Sequence, residues 1–118
     1  MNNIRYMYLR NAKWEPVGCV AIKVLCSENC VEYGLSVRNP VDAKDIQGRQ
    51  LKFDRSMAQK IASNRLTASA SRAYIPSNAT QHDISKAVMC GIVASGNAPM
   101  RAVRFAKNWI AAMEMFYR

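Results

Sequence analysis

The sequence predicts an α+β fold: an N-terminal antiparallel β-meander of three or four strands followed by two or three α-helices. Two observations carry this prediction. The hydrophobic period changes once, from strand-like alternation in the first third to helical spacing from Asp54 onward. No repeat, linker or low-complexity tract interrupts the 118 residues, which leaves one domain, strand-rich over 1–40 and helix-rich over 54–118.

Ile4 to Leu9 reads as the first strand, and Trp14-Glu15-Pro16 as a connection short enough for antiparallel pairing, with the proline blocking strand continuation. Val17 to Leu25 is dense in Val and Ile, and Ser27-Glu28-Asn29 supplies turn residues before a third strand. In that strand, Val31 to Arg38, odd positions are apolar and even ones small or polar, the pattern of one buried face. After an irregular stretch ending at Phe53, Met57, Ala58, Ile61, Ala62 and Leu66 recur at helical spacing, and Asp54 is placed to cap the helix start. Thr67 to Asn78 reads as a Ser- and Ala-rich loop with an extended piece at Tyr74-Ile75, of a kind that often holds ligands. Thr80 to Asp83 resembles a capping box opening a helix lined by Ile84, Val88 and Ile92, which Ser95-Gly96 ends. Asn97 can cap the last helix, with Pro99 in its first turn and Met100, Val103, Ala106, Ile110, Met113 and Tyr117 as its apolar stripe.

Hydrophobic residues make up 50% and charged residues 21%, which excludes a disordered or collagen-like chain. Lys+Arg number 17 against 8 Asp+Glu, a formal charge of +9 that points to an anionic partner. No apolar run has the length of a signal peptide or membrane span, so a cytoplasmic protein with no membrane association is expected. Cys19, Cys26, Cys30 and Cys90 then read as reduced thiols, and their spacing, with His82 distant, offers no zinc site.

Between Arg49 and Arg72 lie six basic residues against the single acid Asp54. Arg101 and Arg104, three apart on a helix, could grip one phosphate together, and Tyr74 could stack on a base. The plainer reading of these residues is a solvated basic face with a surface tyrosine. Asn39-Pro40-Val41-Asp42 reads first as a turn. His82 beside Asp83 suggests an acid–base dyad, but both fall in a first helical turn, where Asp serves as cap. The seven methionines and Trp109, Phe116 and Tyr117 belong to a core or a subunit contact, and a homo-oligomer through the C-terminal helix is expected.

Three segments, Gly18-Cys19-Val20-Ala21-Ile22, Tyr33 through Asp42, and Lys60 through Leu66, resemble those of small phage-encoded proteins. Among characterised proteins of this size and layout the chain is similar to the Thoeris anti-defence sponges. The likeness covers Val17 to Leu66, and Ala43 to Gln50 depart from the pattern. It implies an oligomer of sheet-plus-helix subunits that captures cyclic ADP-ribose-type or cyclic oligonucleotide signals without cleaving them.

Chemistry rather than alignment selects the candidate ligand-binding residues: Arg38, Asn39, Asp42, Arg49, Arg65, Tyr74, Arg101 and Arg104. Arginines would hold phosphates, Tyr74 a base, and Asn39 or Asp42 ribose hydroxyls. No catalytic residue, metal ligand or cofactor is expected. The alternative is a basic DNA- or RNA-binding protein, or an inhibitor covering the nucleic-acid groove of a host defence complex. An enzyme acting on a nucleotide would have His82 as its acid–base residue.

Overall fold

The computed structural model describes residues 4–38, 47, 52–96 and 98–116. Strands β1 (Ile4–Arg10), β2 (Pro16–Leu25), β3 (Cys30–Val37) and β4 (Ser71–Tyr74) form one antiparallel sheet in the order β1-β2-β3-β4. Helix α1 (Arg55–Ser69) lies between β3 and β4 in sequence, and α2 (Gln81–Ala94) and α3 (Met100–Phe116) follow. The α+β architecture is therefore as the sequence predicts, with four strands and three α-helices among the described residues.

Local chemistry sets the element ends. Pro16 opens β2 opposite Arg10, across a register shift at Leu9/Arg10, instead of standing outside the strand. A first strand residue tolerates the missing N–H. A 3₁₀ turn at Cys26–Glu28 and a left-handed Asn29 join β2 to β3. Asp54 caps α1 by accepting from the Met57 N–H at 3.1 Å. Thr80 and Asp83 exchange both capping-box bonds at the start of α2, at 3.1 and 2.9 Å. Thr80→Ala is expected to cost about 1 kcal/mol in a denaturant melt. The Thr80 backbone N–H, then its hydroxyl, holds the Asp83 carboxyl below its ordinary range. Because the folded value is the lower one, this stabilisation is present above the unfolded carboxylate range and is lost as pH falls through the lowered value. The destabilisation caused by Asp83→Ala should shrink in acid melts accordingly.

The alternation in β3 predicts one buried face, but both faces are covered. On one side Val20, Ile22, Val31 and Tyr33 pack against Ile84, Val88, Met89 and Ile92 of α2 and Ala102 and Ala106 of α3. On the other, Cys19 and Ala21 meet Ala58, Ala62 and Leu66 of α1. The small residues that alternate with the large ones are where α1 lies down: a β-carbon on Gly34 would stand 2.4 Å from the Leu66 backbone nitrogen. A surface of Gly, Ala, Ser and Cys seats a helix backbone as readily as it meets water. Among the described residues, Leu9, Val20, Ile22, Val31, Val88, Met89 and Ile92 are the large aliphatic side chains fully withdrawn from solvent, each contributing about 1.5–3 kcal/mol. Burial also pushes the Cys19 thiol up to about 11.

The segment expected to be a loop from Thr67 to Asn78 divides differently. Thr67 to Ser69 complete α1, and Ser71 to Tyr74 pair with β3 from Tyr33↔Ser71 to Cys30↔Tyr74. Cross-strand bonding to an existing edge supplies what Ser, Arg and Ala lack in intrinsic strand preference. Helix stripes shift too. Met57 and Met100 are 54% and 76% exposed, whereas Ala102 and Met89, outside the expected stripes, are buried; Ala106 is buried as expected. Trp109 packs against the main core and stacks on His82, with ring centroids 6.1 Å apart. Its surface is thus partly used within the chain, while the Phe116 side chain and Tyr117 lie outside the described residues. Among the described residues no helix is long and apolar enough to cross a membrane.

Candidate functional site

β4 is only four residues long and pairs with β3 from Cys30 to Tyr33. Past Tyr33 the β3 edge runs on without β4, and a cleft of about 510 Å³ opens there. Gly34 and Leu35 form its floor. One wall comes from the end of α1 and the start of β4 (Arg65, Ser69, Ala70, Ser71), the other from the connection between α2 and α3 (Ser95, Ala98, Pro99).

Each polar group arrives by a different route. Arg65 sits in the third turn of α1 on the side turned to β3, and its Nη1 donates to the Leu35 carbonyl at 2.7 Å. That bond fixes the guanidinium at the sheet edge while using one of its five N–H groups. Ser69 and Ser71 flank the helix-to-strand junction, and Ser71 also bonds the Tyr33 hydroxyl. Burial raises the Tyr33 phenol and the Ser71 bond partly offsets it, so the phenol is neutral at physiological pH. Ser95 comes from the end of α2, its hydroxyl donating to the Ile92 carbonyl at 3.2 Å. Ala98 and Pro99 bring the amino end of α3 to the rim, where the helix dipole favours negative charge.

A second depression of about 390 Å³ lies near the start of α2, lined by Arg5, Cys26, Asn29, Asn78 and Gln81 among others. It suits an anion less well, because the amino end of α2 is already occupied by its own capping box and the Asp83 carboxylate.

Of the five candidate residues among those described, Arg65 alone lines the cleft. Arg38 follows the far end of β3, its backbone N–H donating to the Val17 carbonyl at 2.8 Å. Tyr74 is 80% exposed at the end of β4, on a strand rather than in a flexible segment. Arg101 is half-buried near the start of α3, with its Nε shielded from solvent and without a hydrogen-bond partner. Arg104 is exposed one turn farther along. Asn39, Asp42 and Arg49 lie outside the described residues. Within the basic segment, Arg72 is paired with Glu32 at 3.5 Å and Glu28 at 3.8 Å, so its charge is already answered.

The residues missed are the three serines. Their signal was the Ser-rich composition around residue 70, but Ser95 joins them only through the fold. Among the described residues no three His, Cys, Asp or Glu side chains gather in a group that could hold a metal ion. Comparison with protein-family models, curated proteins and solved structures finds no match to this chain.

Proposed function

We propose that this protein captures a small phosphate-bearing nucleotide in the cleft between α1 and the α2–α3 connection and holds it without cleaving it. The observation that carries the reading is that one cleft of nucleotide size is lined by an arginine bonded to the sheet edge, by three serines and by the residues that open α3. A chain of charge +9 draws such a ligand in. Among the described residues that line it there is no carboxylate, imidazole or thiol to accept a proton, which favours retention over turnover. The likeness to anti-defence sponges supplies the ligand class, a cyclic ADP-ribose-type or cyclic oligonucleotide signal in the cytoplasm of a host cell. It also implies a homo-oligomer, for which α3 offers the exposed Met100 and Met115.

The test is to incubate the purified protein with a panel of cyclic nucleotides, remove free ligand, and denature it by heat. Intact nucleotide in the supernatant is the expected result. Recovery of a cleaved product would make the protein an enzyme. No nucleotide at all, together with salt-sensitive binding of a random oligonucleotide, would replace capture by nucleic-acid binding.

A further inference from the structure

The hairpin joining β1 to β2 holds an aromatic residue where the backbone asks for glycine. The Trp14 N–H donates to the Asn11 carbonyl at 2.9 Å, closing a turn, and Trp14 itself has φ 63. A tight turn followed by a left-handed residue at a strand bulge is a common hairpin form, and glycine takes that position because a β-carbon crowds the following carbonyl. The turn is secured without the indole. Asn11 Oδ1 accepts from the Lys13 and Glu15 N–H groups, both at 3.0 Å, and Arg10 Nη1 donates to the Trp14 carbonyl at 3.0 Å. Every one of these bonds would survive with glycine at position 14. The ring is 48% exposed and belongs to neither core cluster.

The same end of the sheet is basic. Arg10 and Lys13 belong to the hairpin, and the Arg38 N–H bonds Val17 beside it. The amino end of α1 arrives there as well, with Phe53 edge-on to Tyr8 and the Arg55 guanidinium 5.0 Å above the Tyr8 ring. Lys52 adjoins them in sequence. Among the described residues, the acids beside them are engaged, Glu15 with the Asn11 amide at 3.2 Å and Asp54 with the cap of α1.

A strained, half-exposed indole among cations is the arrangement that stacks a base while neighbouring charges track its phosphates. We propose that the β1–β2 hairpin end is a binding surface for single-stranded nucleic acid, with Trp14 as the stacking platform. This surface lies at the amino end of α1, whereas the nucleotide cleft lies at its carboxyl end, so the two can fail separately.

The test uses Trp14→Gly and Trp14→Asn, both of which tolerate the left-handed backbone. Thermal melting is measured beside anisotropy of a labelled oligo(dT) at low salt, with inorganic polyphosphate as a ligand without bases. Both variants should melt at or above the wild-type temperature, bind the oligonucleotide about tenfold or more weakly, and bind polyphosphate as the wild type does. Cleft nucleotides should be held as before. Melting below wild type in both variants would make Trp14 a packing residue and overturn the proposal. Wild-type oligonucleotide affinity in either variant, or no oligonucleotide binding by the wild type, would overturn it too.

Discussion

Gly34→Ala is expected to destabilise the fold by about 3 kcal/mol, lowering the melting temperature by roughly 10 °C, although it adds one methyl group. The added carbon would stand 2.4 Å from the Leu66 nitrogen, 2.7 Å from the Ala62 carbonyl oxygen and 2.9 Å from the Arg65 carbonyl carbon. All three are backbone atoms of α1, so no side chain can rotate away and the helix must lift from the sheet. Lifting opens the cluster of Cys19, Ala21, Ala58, Ala62 and Leu66, and it drags Arg65 away from the Leu35 carbonyl. The matched control is Gly91→Ala, whose new carbon meets the Tyr33 hydroxyl at 2.8 Å, the end of a side chain, in a helix that alanine favours. Its cost should be clearly smaller. If thermal and denaturant melts place Gly34→Ala within about 1 kcal/mol of wild type, α1 is not seated on the sheet as described.

The same contact explains which parts of the fold were legible from residues alone. Short-range chemistry was readable: Asp54 at one helix start and Thr80 with Asp83 at another make the capping bonds their side chains favour. The meander was readable because Val31, Tyr33 and Leu35 alternate with smaller residues. What those smaller residues face was not readable, since Gly34 and Ser36 fit a solvated face or the underside of a helix equally well. β4 was hidden for a related reason. Ser71 to Tyr74 becomes a strand by meeting the β3 edge, a partner some 40 positions earlier in the chain. Functional residues suffered most. A count of cations ranks Arg72 with Arg65, and only the fold separates one answered by Glu28 and Glu32 from one anchored beside a cleft. Ser69, Ser71 and Ser95 carry no motif, because their grouping follows from where β4 begins.

Arg65→Ala should weaken a phosphate-bearing nucleotide about ten- to a hundredfold by calorimetry, the loss expected when charge-assisted hydrogen bonds worth roughly 1.5–3 kcal/mol disappear. Stability should change little. The bond given up, from Nη1 to the Leu35 carbonyl, lies at an exposed position where water can replace the guanidinium. Arg65→Lys separates charge from geometry: the ammonium keeps the positive charge but cannot bond the carbonyl and a phosphate with one planar fork, so an intermediate affinity is expected. Arg104→Ala provides the comparison, because that side chain is exposed and does not line the cleft. A pocket ligand should ignore its removal. A ligand held by diffuse positive charge should lose affinity comparably in Arg65→Ala and Arg104→Ala, and both losses should fade at high salt. Measuring each variant at two salt concentrations therefore decides the matter. Equal, salt-erased losses would dissolve the cleft into a general basic surface, whereas a large loss confined to Arg65 and persisting in salt would fix the nucleotide phosphate beside Leu35.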